Sequence, residues 1–129
     1  MSSVLAIVAA HGTLASGLVS AVDLITGRGA VLRALSNQGL GAAEVSAELV
    51  RALDETGANL VFTDLPAGSC TLAARRAQAQ RPALTVVIGV NLPMLLEFVL
   101  RDGAGQADIA ASVERGKEYV RILAPTNVG

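Results

Sequence analysis

The sequence has few aromatic residues and almost no cysteine or histidine. Aromatic side chains make up 2% of the 129 residues, and Cys70 and His11 are the only residues of their types. So few aromatics leave no platform for stacking bases, and 10 basic against 11 acidic residues supply no positive surface for a nucleic-acid backbone. A lone cysteine excludes an internal disulfide, and one cysteine with one histidine makes structural zinc implausible. We therefore expect no nucleic-acid partner and no metal site.

Long hydrophobic runs are also missing. The apolar stretches have the length of β-strands, which is well short of the ~18 to 20 residues that a membrane span requires. The first residues lack the basic start, apolar stretch and cleavage site of a secretory signal. Together with the lone cysteine, these features favour a soluble protein in a reducing cytoplasm. The length predicts a single domain spanning residues 1–129.

What the sequence does contain is a regular alternation of strand-like and helix-like segments. An α/β fold with a doubly wound parallel sheet follows from this alternation. In the first helix we expect Leu18, Val22 and Ile25 to face the sheet. Strands are predicted at 4–10, 31–35, 59–64, 84–90 and, at the C-terminus, 118–123; helices are predicted at 15–25, 42–55, 70–80, from residue 91 onward, and at 105–116.

The single histidine follows the first predicted strand directly. His11 comes after an uninterrupted apolar run, and Asp64 ends the third predicted strand. Because the carboxyl ends of parallel strands meet at one edge of a sheet, we expect the two side chains to pair there. The aspartate would hold one ring nitrogen of His11 and leave the other free to attack an electrophile.

Backbone amides at two predicted helix starts point to the kind of electrophile. Gly12 and Thr13 precede the first helix, and Gly68 and Ser69 precede the third, with Ser69 placed to cap it. Unpaired N–H groups at helix starts stabilise anions. The combination therefore suits a phosphoryl group better than an acyl group, with Gly12, Thr13, Gly68 and Ser69 as candidate phosphate-binding residues.

Several short motifs occur together in one order along the chain. They are HG at 11–12, ASGL at 15–18, TDL at 63–65, GS at 68–69 and GVNLPMLLE at 89–97. In these segments the chain resembles the IIA domains of the mannose class of the bacterial phosphoenolpyruvate-dependent sugar phosphotransferase system.

The resemblance carries definite expectations. It implies a phosphotransferase component in which His11 is phosphorylated by the histidine-containing phosphocarrier protein and passes the phosphoryl group to a IIB domain, with Asp64 as its hydrogen-bonding companion. It implies a four-stranded parallel sheet of order 2-1-3-4, with an antiparallel strand at 118–123 exchanged within a homodimer. No metal or organic cofactor is expected, and contact with the membrane is only indirect, through transporter subunits.

One loop departs from the family pattern. Ala67 stands where the family usually has a glycine, and Cys70 and Thr71 stand where a proline is usual. If that glycine needs a positive φ, Ala67 would strain the loop, and the missing proline would loosen the helix start. Cys70 itself is more readily explained as a small residue at a helix start than as a redox sensor.

Alternative functions stay open at this point. A degenerate regulatory binding module of the same fold would bind a partner or an anion without phosphotransfer. The related IIA-like subunit of dihydroxyacetone kinase, also a histidine phosphocarrier, is a weaker match because it usually lacks the HG turn and the GVNLP segment. A dinucleotide site is disfavoured because the required glycine spacing and downstream acidic residue are absent. The sugar is not identified.

Overall fold

The computed structural model describes residues 3–126 and shows strands alternating with helices. Residues 1–2 and 127–129 of the predicted single domain lie outside the described residues. The strands are β1 (Ala6–Ala10), β2 (Leu32–Ser36), β3 (Leu60–Thr63) and β4 (Thr85–Ile88), and a 3-10 turn at Gly29–Val31 precedes β2. The helices are α1 (Leu14–Thr26), α2 (Ala42–Thr56), α3 (Ser69–Gln80), α4 (Leu92–Arg101) and α5 (Gln106–Glu118). None of the helices in the described part of the chain is long and apolar enough to cross a bilayer.

The four strands form one parallel sheet in the order β2-β1-β3-β4. Ile7 of β1 lies opposite Arg33 of β2 on one side and Val61 of β3 on the other, and Val61 lies opposite Val86 of β4. The predicted α/β fold and the sheet order 2-1-3-4 are confirmed. Since all strands run the same way, the carboxyl ends of β1, β2 and β3 lie side by side at one edge.

Both faces of the sheet are covered by helices, which explains the continuous apolar runs. Val8 and Phe62 face one hydrophobic cluster, where the Phe62 ring packs edge-on against Phe98 of α4 at 5.4 Å between centroids. Ile7 and Val61 face the other cluster, which α2 and α3 complete. All five residues of β1 are buried, so the turn after β1 starts from a strand held on both faces.

The stripe predicted for α1 is only partly correct. Val22 is buried and Leu18 packs at the edge of the core, but the Ile25 side chain is 60% exposed. The expectation that Ile25 faces the sheet is therefore wrong. Helical spacing gives the direction of a side chain and does not show whether another layer lies opposite it.

The predicted C-terminal strand is not formed in the single chain. Helix α5 continues through Glu118, and residues 119–126 have no regular secondary structure. The alternating pattern at 118–123 indicated a strand, but a strand needs a hydrogen-bonding neighbour, and the described chain supplies none there. Exchange of this segment between two chains stays a prediction.

Candidate functional site

The turn after β1 places His11 at the carboxyl edge of the sheet. Gly12 has φ +58°, a left-handed conformation that glycine adopts without steric cost, and this redirects the chain from the strand into α1. The N–H of Leu14 donates to the carbonyl oxygen of His11 at 3.1 Å, which closes the turn. The His11 side chain is 46% exposed, so part of the imidazole is open to an incoming molecule.

The structure brings His11 and Asp64 together at this edge. Asp64 follows β3, and its Oδ2 accepts a hydrogen bond from the backbone N–H of His11 at 2.9 Å. The same oxygen lies 2.8 Å from Nδ1 of the His11 ring. One carboxylate oxygen thus fixes both the main chain and the ring of the histidine. Nε2 is the ring nitrogen that the aspartate leaves free.

The charge state of Asp64 sets the tautomer of the histidine. Burial raises the pKa of Asp64, but hydrogen bonds from the backbone and ring of His11 lower it, and the net effect is a pKa below the usual value. Its other oxygen, Oδ1, is buried without a hydrogen-bond partner in the described chain. An ionised carboxylate only accepts hydrogen bonds, so Nδ1 carries its proton toward Asp64 and the lone pair of neutral His11 lies on Nε2.

The loop before α3 lies against the free edge of this ring. Gly68 has φ +112°, and a Cβ at this position would lie 3.2 Å from Cε1 and 3.5 Å from Nε2 of His11. Among the described residues Asp102 is the only one besides glycine with a positive φ, so the strain considered for Ala67 is absent. The loop needs a glycine at position 68, and the chain has one there.

Thr71 fixes this loop in the region where the family usually has a proline. Its hydroxyl donates to the carbonyl oxygen of Leu65 and is hydrogen-bonded to the hydroxyl of Thr63 at 2.7 Å. Thr63 and Thr71 are both buried, so these hydrogen bonds are shielded from water. The loop between β3 and α3 is thereby tied to the sheet.

Ser69 is not the N-cap predicted from the sequence. Helix α3 begins at Ser69 itself, and Gly68 is the N-cap. The Ser69 hydroxyl instead accepts a hydrogen bond from the side-chain amide of Asn37 at 3.0 Å. The first N–H groups of α3 have no acceptor within the helix, so this helix start next to Gly68 is suited to an anion.

The other two candidate phosphate-binding residues lie at the start of α1. Thr13 is the N-cap of α1 and makes no side-chain capping hydrogen bond. The N–H of Gly12 donates to Oδ1 of Asn37 at 3.3 Å, so this amide already has an acceptor. A phosphoryl group would therefore have to compete with Asn37 for Gly12.

Two polar residues that the sequence reasoning missed hold this edge together. Ser36 ends β2, and its hydroxyl donates to the carbonyl oxygen of Gly12 at 2.6 Å. Asn37 follows it and contacts both Gly12 and Ser69. The available signal was their place after β2, because β2 neighbours β1 in the predicted sheet order.

Cys70 lies close to the site but is not exposed to it. The side chain is 1% exposed, and burial together with the negative charge of Asp64 raises the pKa of the thiol. A thiol that stays protonated is a poor nucleophile and reacts slowly with oxidants. Within residues 3–126, no group of three or more histidine, cysteine, aspartate or glutamate side chains is placed to hold a metal ion.

The fold and this edge define a class of protein, an α/β domain that presents one carboxylate-held histidine at the end of a central strand. Residues 6–115 match the EIIA-man family model, described as PTS system fructose IIA component. The chain belongs to this family, the mannose-type IIA proteins. It is therefore a sugar phosphotransferase-system component, and the family implies interaction with other components of that system. No curated protein matches the chain.

Solved structures share the fold over nearly the whole chain. The mannose/sorbose-specific IIA subunit from Enterococcus faecalis is 24% identical with a TM-score of 0.81, and the comparison covers 100% of each chain. The component EIIA from Streptococcus agalactiae is 23% identical with a TM-score of 0.79, covering 92% of this chain and 96% of that one. A IIA protein associated with the fucose utilization operon of Streptococcus pneumoniae is 23% identical with a TM-score of 0.78, covering 95% and 96%.

Proposed function

We propose that the protein is a phosphocarrier in which His11 accepts a phosphoryl group from the histidine-containing phosphocarrier protein and passes it to a IIB domain. The observation that carries this proposal is the His11–Asp64 pair, with Nδ1 held at 2.8 Å and the ring half exposed. A held and partly exposed imidazole is the arrangement that nucleophilic transfer from another protein requires.

The transfer step uses the lone pair on Nε2. This lone pair attacks the phosphorus of the donor phosphohistidine, the new N–P bond forms, and the old N–P bond breaks with its electron pair returning to the donor ring. The Nδ1 proton stays hydrogen-bonded to Asp64, whose negative charge stabilises the positive charge that develops on His11. Transfer to the IIB domain is the same step in the opposite direction: a nucleophile of the IIB domain attacks the phosphorus, and the N–P bond to His11 breaks with its electron pair returning to Nε2.

The phosphoryl oxygens would lie at the start of α3. Gly68 brings the backbone to the free ring edge, and Ser69 begins the helix immediately after it. Gly12 and Thr13 at the start of α1 are the other proposed phosphate-binding residues. The unpaired N–H groups of a helix start favour a dianionic group without any metal or organic cofactor.

The surroundings of His11 favour a protein partner. The exposed apolar side chains Leu14, Leu65 and Leu72 lie on the elements next to the histidine and are 44–50% exposed. A groove of about 390 Å³ in the same region includes Leu72 and Arg75. An apolar surface with a basic margin suits docking of another protein better than binding of a free sugar.

Further parts of the proposal concern assembly and location. We expect one domain over residues 1–129, a homodimer that uses the C-terminal segment, a cytoplasmic location, and a membrane association only through transporter subunits. The exposed apolar residues Val120, Ile122 and Leu123 support the dimer, because such side chains are usually covered in an assembly.

The test is phosphorylation in a reconstituted system. Incubation with phosphoenolpyruvate, enzyme I and the phosphocarrier protein should place one acid-labile phosphoryl group on the chain, and the His11→Ala variant should take none. Label that survives in this variant, or a wild-type protein that takes no label from cognate partners, would contradict the phosphocarrier proposal. Partner binding without transfer would then favour the regulatory binding module.

A further inference from the structure

Asn37 connects two parts of the site that are far apart in sequence. It follows β2, with a half-buried side chain, and lies 25 residues from Gly12 and 32 from Ser69. Its Oδ1 accepts from the N–H of Gly12 at 3.3 Å, and its Nδ2 donates to the hydroxyl of Ser69 at 3.0 Å. One amide side chain therefore links the turn that carries His11 to the start of α3.

The direction of these two hydrogen bonds follows from their chemistry. The N–H of Gly12 can only donate, so the amide oxygen of Asn37 must face Gly12 and its NH₂ group must face Ser69. Ser69 Oγ then accepts through one lone pair, and its own proton is directed to an acceptor other than Asn37. The Cys70 thiol is a weak acceptor for it, and a phosphoryl oxygen is a much stronger one. Asn37 thus orients the Ser69 hydroxyl so that its proton can be donated to another group.

Ser69 directly follows the backbone position that lies against the reactive edge of the histidine. Gly68, the residue before Ser69, is the backbone position that meets Cε1 and Nε2 of the ring. We propose that Asn37 is a positioning residue that keeps the Ser69 hydroxyl oriented as a donor to a phosphoryl group carried on His11 Nε2. This inference rests on the proposed phosphocarrier function and deepens it.

A purely structural role for Asn37 would act through Gly12 instead. The Gly12 turn has a second tie, because the Ser36 hydroxyl donates to the Gly12 carbonyl oxygen at 2.6 Å. In the described chain the Ser69 hydroxyl has, besides Asn37, only the weaker hydrogen bond with the Cys70 thiol. Loss of Asn37 should therefore disturb the orientation of Ser69 more than the shape of the turn.

The experiment is a double-substitution cycle of Asn37→Ala and Ser69→Ala, with Gln38→Ala as the matched control. Gln38 is the exposed neighbour of Asn37. Two readouts are used, the kcat and KM of transfer from the phosphocarrier protein, and the phosphohistidine signal in ³¹P NMR after chemical labelling with potassium phosphoramidate. Thermal unfolding of each variant shows whether it is folded.

We expect Ser69→Ala to lower kcat about a hundredfold, as removal of one donor to a developing charge does in other enzymes. Asn37→Ala should lower kcat roughly tenfold with KM unchanged, because the Ser69 hydroxyl stays in place but is no longer held in one orientation. In the Ser69→Ala background Asn37→Ala should have no further effect, and Gln38→Ala should behave as wild type. If Asn37→Ala slows both backgrounds equally, or matches Gln38→Ala, the inference is wrong.

Asn37→Asp covers the case in which the alanine variant does not fold. Aspartate keeps an acceptor for the N–H of Gly12 but cannot donate to Ser69, whose proton would turn toward it. The positioning role is supported if Asn37→Asp lowers kcat in the wild-type background and has no further effect in the Ser69→Ala background. A kcat equal to wild type in Asn37→Asp overturns it. Wild-type protein that shows no phosphohistidine after phosphoramidate would reject the phosphocarrier function itself, and this inference with it.

Discussion

The histidine edge and the C-terminal segment of residues 119–126 differ in how much of their surroundings one chain provides. At the histidine edge, residues after β1, β2 and β3 hydrogen-bond to one another, as in the contacts of His11 with Asp64 and of Asn37 with Ser69. The C-terminal segment has no regular structure, and its Ile122 side chain is 95% exposed. The first region is held by hydrogen bonds within a single chain, whereas the second exposes apolar side chains that no part of the described chain covers.

The sheet also has an outer strand edge that is unpaired in the described chain. β4 pairs with β3 on one side, and within residues 3–126 no strand pairs with its other side. Ile88 of β4 is 48% exposed. An unpaired strand edge and an unpaired apolar segment in one molecule are complementary, which favours an assembly that joins them across two chains.

The largest effect should come from Asp64→Asn. An amide can still hydrogen-bond the ring of His11, but it cannot stabilise positive charge there, so we expect transfer to slow by about 10² to 10⁴. Rapid-quench measurement of phosphoryl transfer from the phosphocarrier protein checks this. A transfer rate equal to wild type would remove Asp64 from the mechanism.

The same substitution should also change how the stability of the fold depends on pH. The pKa of folded Asp64 lies below its unfolded value, so its ionised form stabilises the fold above the unfolded pKa of ~3.9, and this contribution is lost as the pH falls through the folded pKa. Asp64→Asn should therefore lower stability at neutral pH and lose less stability than wild type below about pH 4. Urea unfolding at several pH values measures the difference, and parallel curves would contradict it.

A smaller effect at the histidine edge is expected for Gly68→Ala. The alanine would have to keep φ near +112°, and its Cβ would lie 3.2 Å from Cε1 of His11. Backbone strain of about 1–3 kcal/mol should appear as lower stability, and displacement of the ring should slow transfer by about tenfold to a hundredfold. Ala67→Gly in the same loop is the matched control and should leave the transfer rate close to wild type. Equal behaviour of the two variants would show that the approach of Gly68 to the ring is unimportant.

The smallest effect on transfer, and the largest on assembly, should follow from removal of residues 120–129. The truncation keeps α5 and its C-cap Tyr119 but removes the exposed apolar segment. We expect a monomer by light scattering, with transfer to His11 changed by less than about twofold, because none of the hydrogen bonds that hold His11 and Asp64 involves residues 120–126.

A full-length variant shows whether the dimer depends on the apolar side chains of the C-terminal segment or only on the presence of the segment. Ile122→Ser combined with Leu123→Ser keeps the segment but removes its two most exposed large apolar side chains. It should weaken the dimer as the truncation does. A full-length wild-type monomer at micromolar concentration would refute strand exchange, and a dimer that survives truncation would place the interface on the helices.

The sequence predicted the features that depend on local pattern or on strand ends. The uninterrupted apolar run at 4–10 predicted a strand, and all five residues of β1 are buried. The positions of His11 and Asp64 after neighbouring parallel strands indicated that they would meet, and they lie 2.8 Å apart. Asn91 was expected to begin α4, and its side chain accepts from the N–H of Met94 at 3.0 Å.

The features that the sequence did not predict depend on long-range contacts. The role of Asn37 arises only when residues 25 and 32 positions away fold against it, and no local motif marks such a contact. The exposure of Ile25 depends on the extent of the layer opposite α1, which helical spacing does not give. The strand at 118–123 was predicted from alternation, but its formation depends on a neighbour that alternation cannot supply.

The two hydrogen bonds accepted by Asp64 Oδ2 also lower the conformational entropy of the His11 side chain in the folded protein. Because a single atom accepts from both the backbone N–H and the ring of His11, the two side-chain torsions of the histidine are restricted before any encounter. Ordering a side chain of this size costs on the order of 1 kcal/mol. In this protein that loss of freedom occurs during folding, so a molecule that reaches His11 meets a ring already in place.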